Sequence, residues 1–167
     1  MKTTARLYTL TLDEARTYLW ALIFVGANLL LPQVFHLVPQ GGIIFSPLSL
    51  VIMAGAYKLG WRVGLLAALA SPLVNHLITG MPAMSVLPVM TLKLAVLALV
   101  AGFTAQHFRR ATIPLLIGVV LLTELLGGLG ELALMGGIDA TIQDFTIGWP
   151  GLLLQVFGAW LILKYVK

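Results

Sequence analysis

Residues 43–78 read IIFSPLSLVIMAGAYKLGWRVGLLAALASPLVNHLI, and this stretch decides the fold. Two apolar runs flank a single short basic turn that holds Lys58, Gly60 and Arg62. Neither run alternates polar and apolar residues, as a membrane barrel strand does over roughly ten residues. Each is long enough to be read as a membrane helix. In lipid no water satisfies bare backbone, so such a run must close its hydrogen bonds within a helix.

The rest of the chain agrees. Of 167 residues, 60% are hydrophobic and only 10% charged, with a mean hydropathy of +1.03. A soluble domain carries roughly 25% charged residues, so this chain lacks the polar coat that water would require. The absence of cysteine excludes disulfides, thiolate metal sites and cysteine nucleophiles. The net charge of +4 does not indicate nucleic acid. The basic residues sit at helix ends and form no patch interleaved with aromatics.

Six spans are predicted, at about 17–31, 43–59, 61–78, 85–106, 113–134 and 147–163, in one all-α transmembrane domain. Pro32 is expected to end the first. Residues 1–16 are polar and mixed in charge, with no A-x-A cleavage site after the first apolar run. They read as an amphipathic lead-in, with Leu7, Leu10 and Leu12 on the interface. Nine of the ten Lys and Arg residues fall at one set of helix ends: Lys2, Arg6, Arg16, Lys58, Arg62, Arg109, Arg110, Lys164 and Lys167. The opposite loops hold none, and one of them holds Asp139 and Asp144. The positive-inside rule then places both termini in the cytoplasm of a multi-pass inner (plasma) membrane protein. The long Pro- and Gly-rich loops at 32–42, 79–84 and 135–146 should face outside.

Ionisable groups inside spans are functional candidates by default. Lys93, Glu124 and Glu131 are such groups. The two glutamates are seven residues apart, two helical turns, and share a face. Counting the helical rise puts Lys93 and Glu124 at similar depth on sequential helices. Two readings follow. They form an ion pair that ties helices together, or they line an outward cavity that binds a polar solute. Asn75, His76, His36, Gln143 and Trp149 lie at the same level and favour the cavity, although Trp149 also suits an interfacial anchor. His36, His76 and Glu131 lack metal-ligand spacing, so no metal site and no cofactor are expected. No P-loop, G-x-S-x-G or H-E-x-x-H occurs, so no enzyme is expected. Gly127, Gly128 and Gly130 lie between the glutamates and would let a ligand approach the backbone or soften the helix. Other small residues, among them Ala101-x-x-x-Ala105, suit close helix packing or a docking face.

The stretch 41–82, GGIIFSPLSLVIMAGAYKLGWRVGLLAALASPLVNHLITGMP, resembles the substrate-binding S components of energy-coupling factor (ECF) transporters. The likeness lies in a Pro-containing second helix, a basic turn with Gly60, and a Gly/Ala-rich third helix ending in Pro and Gly. The long outer loop after the first span is also similar. The resemblance implies high-affinity capture of a vitamin-like micronutrient beneath that loop, where Lys93, Glu124, Glu131, Asn75 and His36 fall. It implies as partners a transmembrane coupling subunit and cytoplasmic ATPase subunits. The family's first helix often docks the coupling subunit through A-x-x-x-A. Here that helix offers Ala21, Gly26 and Ala27 at other spacings, and the A-x-x-x-A motif is Ala101 to Ala105 in the fourth span. The alternative is a scaffold membrane protein similar in layout to MreD-like cell-shape proteins, with no transported ligand.

Overall fold

The apolar runs fold as helices. The structure, a computed structural model, describes residues 8–35, 37 and 39–165, with residue 43 described by its backbone alone. The expected roles of Lys2, Arg6, Leu7, His36 and Lys167 lie outside the described residues. Among the described residues there are eight helices and no strand: α1 (Ala15–Phe35), α2 (Gly41–Phe45), α3 (Pro47–Leu59), α4 (Trp61–Thr79), α5 (Leu87–Phe108), α6 (Ile113–Met135), α7 (Asp139–Thr146) and α8 (Trp149–Tyr165).

Four helices, α1, α4, α5 and α6, are long and apolar enough to cross a membrane. The α7–α8 pair, bent by 72°, passes the same test when taken as one span, which makes five. The expected second span differs. It is broken at Ser46, which adopts a left-handed φ of 41°, leaving the short α2 and the 13-residue α3. The physical reason is Pro47. It has no N–H for the carbonyl four residues back, so one helix stops and the next starts with proline in its first turn. The first span differs in the opposite sense. Its helix runs through Pro32 to Phe35 instead of ending at Pro32. The carbonyl that Pro32 leaves unpaired belongs to Asn28, and the Asn75 side-chain Nδ2 donates to it at 3.0 Å. A neighbouring helix thus supplies the hydrogen bond that the proline cannot.

The short α3 is the central helix. Ten of its thirteen residues are buried, and it packs against α1, α4, α5 and α8. The longer helices show leucine outward. On α6, Leu121, Leu125, Leu129 and Leu132 are exposed, while Glu124, Gly127, Gly128 and Glu131 are buried. This is the reverse of a soluble amphipathic helix, and it is the pattern expected when the solvent is lipid.

Apart from Lys93, the described basic residues gather at one end. Lys58 and Arg62 flank the α3–α4 turn, and Tyr57 in α3 donates its hydroxyl to the Arg110 carbonyl after α5 at 2.6 Å. The lead-in joins the same end, where the backbone N–H groups of Tyr8 and Leu10 cap the carbonyls of Lys58 and Leu59 at 2.7 and 3.1 Å. Leu10 therefore packs against Leu59, Ala21 and Val63 rather than resting on lipid alone. Helix α8 runs alongside α3 in the same direction, with Gly151 against Ile44 and Phe45 and Gly158 against Leu50. That direction brings Lys164 to the basic end as well.

Close approach at this end depends on Gly102. A Cβ there would lie 2.6 Å from the Trp61 backbone N and Cα. Gly26, by contrast, faces open space. Gly102→Ala should lower the thermal unfolding temperature in detergent, with a cost of about 1–3 kcal/mol from overpacking. Gly26→Ala should be neutral or stabilise by up to about 1 kcal/mol through helix propensity. Equal responses of the two variants would contradict the packing described.

Candidate functional site

At the end opposite the basic turns the helices part around a cavity of about 470 Å³. Ligand pockets span roughly 300–1,000 Å³, so this one has room for a small organic molecule. Its apolar walls include Leu48, Val89, Met90, Leu94, Leu97 and Leu152. Its polar groups include Asn75, Lys93, Thr123, Glu124, Asp144 and Gln155. They come from five helices, so the site exists only in the assembled bundle.

Lys93 of α5 is the electrostatic centre. Its Nζ lies 2.7 Å from Asp144 Oδ2, 3.5 Å from Glu124 Oε2 and 3.7 Å from Glu131 Oε2. The expected proximity of Lys93 and Glu124 is therefore present, but the tightest partner is Asp144. Gly127 makes room for this arrangement, because a Cβ there would lie 2.9 Å from Lys93 Cγ. Gly128 likewise faces Thr141 of α7, and Gly130 faces Leu92 of α5. The glycines between the glutamates thus admit neighbouring parts of the protein, not a ligand.

Glu131 has a different task. Its Oε1 accepts the Ala140 N–H at 2.6 Å, and its Oε2 accepts the Thr141 N–H at 2.9 Å and the Thr141 hydroxyl at 2.8 Å. These are the unpaired donors of the first turn of α7, where a carboxylate is favoured by both hydrogen bonding and the helix dipole. Glu131 fastens α7 to α6 and is absent from the cavity wall. On α7, Ala140, Gln143 and Asp144 follow the helical spacing of one face and line the cavity. Ile138, Ile142 and Phe145 are exposed.

Asn75 is held by two donations from Nδ2, to the Asn28 carbonyl at 3.0 Å and to the Ser71 carbonyl at 2.9 Å. Asn28 in turn donates to the Ser71 hydroxyl at 2.9 Å. Both amide hydrogens of Asn75 are spent, which leaves its oxygen for the cavity. Two further groups on the wall are buried without a hydrogen-bond partner among the described residues, Thr123 Oγ1 and Glu124 Oε2. Buried polar atoms are nearly always paired, so an orphaned pair of neighbours on one cavity wall calls for an explanation.

Of the residues singled out by sequence, Lys93, Glu124, Asn75 and Gln143 line the cavity together. His76 does not. Its Nδ1 lies 2.8 Å from the Pro82 carbonyl, which accepts its proton and pins the loop after α4. Trp149 stands 56% exposed at the start of α8, away from the cavity. Ala21, Ala101 and Ala105 are buried within this chain, so they pack its own helices and offer no docking surface. Gly26 and Ala27 are half-buried. The sequence reading did not place Thr123, Asp144 or Gln155 in the site. Gln155 carried a signal, as a polar residue inside an apolar span. Asp144 carried a weaker one, the spacing of Ile138, Ile142 and Phe145 that marks a short amphipathic helix.

Glu131→Ala should release the first turn of α7 at a cost of about 1–3 kcal/mol. Hydrogen exchange should accelerate at residues 140–146 while the amides of α5 stay protected. Unchanged exchange in α7 would contradict the capping role.

No protein-family model, no curated protein and no solved structure matches the chain.

Proposed function

We propose that the protein is the membrane-embedded binding subunit of an uptake system, capturing a small vitamin-like solute at the outer face as an ECF S component does. The observation that carries this reading is the cavity of about 470 Å³ at the end away from the basic turns, with apolar walls and convergent polar groups. A bundle held only for scaffolding gains nothing from such a space, since unfilled volume costs packing energy.

In this reading the chain crosses the membrane six times, with both termini cytoplasmic. Residues 41–59 form one interrupted crossing, about 28 Å if laid end to end as helix. Helix α8 forms the last, about 25 Å long, with α7 lying across its outer end at the interface. The basic turns then face the cytoplasm of the inner (plasma) membrane and the cavity faces outward. The chain has no nucleotide-binding loop, so energy comes from partners: a transmembrane coupling subunit and cytoplasmic ATPases. Gly26 and Ala27 are the small residues of α1 left available to such a partner. The protein itself performs no chemistry on the solute.

The scaffold reading, of MreD-like layout, draws on one observation: Lys93 already has carboxylates around it. The two readings separate on one experiment. Native mass spectrometry of protein purified in mild detergent should detect a co-purifying small molecule. The variant Gln143→Trp, altered at an exposed residue of α7 on the cavity wall, should lose it while remaining folded. No bound molecule, and no thermal stabilisation across a panel of vitamins and nucleobase-like solutes, would leave the scaffold reading standing.

A further inference from the structure

The charge inventory around Lys93 is unbalanced. One cation, Lys93, stands among three carboxylates, Glu124, Glu131 and Asp144. Glu131 is committed to the first turn of α7 by three hydrogen bonds. Lys93 is committed to Asp144 by a 2.7 Å hydrogen bond. Glu124 is held more loosely, beside Lys93 at 3.5 Å. Its side chain is 9% exposed, and its Oε2 accepts no hydrogen bond from any described residue. Thr123 Oγ1, one residue away on the same wall, is also unpaired. A buried carboxylate oxygen without a donor is costly, and Glu124 belongs to the wall of a cavity with room for a molecule. The missing donor has a place to come from.

We propose that the cavity selects a ligand bearing a cationic nitrogen group, an amine or amidine-like donor, which seats on Glu124 while Lys93 stays with Asp144. The inference rests on the binding reading above and deepens it to a ligand class. The donor satisfies Glu124 Oε2, and its positive charge offsets the surplus carboxylate. The apolar walls formed by Leu94, Leu97 and Leu152 cover an aromatic or aliphatic body. The Asn75 oxygen offers a second acceptor. An anionic ligand fits poorly. To reach Lys93 it would have to displace Asp144 and would add a fourth negative charge beside Glu124.

Three probes of one shape and different charge test this: benzamidine, benzamide and benzoate, titrated onto the purified full chain in detergent with thermal stabilisation as readout. Benzamidine should bind about tenfold more tightly than either partner, the difference a single charge-assisted hydrogen bond makes. Glu124→Gln, checked for folding by size exclusion, should bring the ratio close to one. Benzoate or benzamide binding as well as benzamidine to the wild-type protein would overturn the cationic class while leaving the binding reading intact. So would a preference for benzamidine that persists in folded Glu124→Gln. If none of the three stabilises the protein and native mass spectrometry finds no bound molecule, both readings fail. The wild-type comparison decides the matter even if the variant does not fold.

Discussion

An ammonium group placed inside a lipid-embedded bundle cannot draw its counter-charge from solvent, and Lys93 meets this constraint entirely with protein groups. A charge at such depth is expensive unless paired. Here the pairing shapes the outer half of the structure. Asp144 has to come from α7, which lies across the bundle instead of continuing α8. Glu131 has to hold the start of α7. Gly127 has to be glycine so that the lysine stem can pass over α6. The cavity is the space left when α7 is held in this position.

The two halves of the molecule are built on different principles. The basic half is built on small residues and backbone approaches, with Gly102 on Trp61 and Ala101 and Ala105 in the core, beside a second hollow lined by Tyr57, Gly60, Gln106 and Arg109. The other half is interrupted. Proline at 32 and 47, the break at Ser46 and the bend between α7 and α8 all fall there. Each interruption frees backbone groups or turns a side chain inward, and in lipid such irregularity is tolerated only where it is buried in protein or borders a cavity.

Much of this was legible in the sequence. Hydropathy and charge bias gave an all-helical bundle with its basic ends together. The intramembrane position of Lys93 and Glu124 brought them correctly into proximity. What hydropathy could not give was the fate of the prolines. Pro32 was expected to stop a helix, because the rescuing donor, Asn75, is more than forty residues away in sequence. Pro47 was expected inside a span that it in fact divides. Asp144 was read as a loop charge, since the helix carrying it is short and its first turn is capped from another helix, by Glu131. Ala101 and Ala105 suited close helix packing or a docking face alike, because spacing alone does not say which side of a helix faces a partner. In each case a long-range contact decided the outcome, and single-sequence periodicity does not carry long-range contacts.

The bundle forms a cup that opens on the side away from the basic turns. The natural absence of cysteine makes it directly measurable. Single cysteines at Gln143, on the cavity wall, and at Gln106, beside the basic turn after α5, can be challenged with a membrane-impermeant maleimide. Gln143→Cys should be modified in intact cells and protected by a bound solute, whereas Gln106→Cys should be modified only in inside-out vesicles. Labelling of Gln106→Cys from outside, with Gln143→Cys reached only from inside, would contradict it.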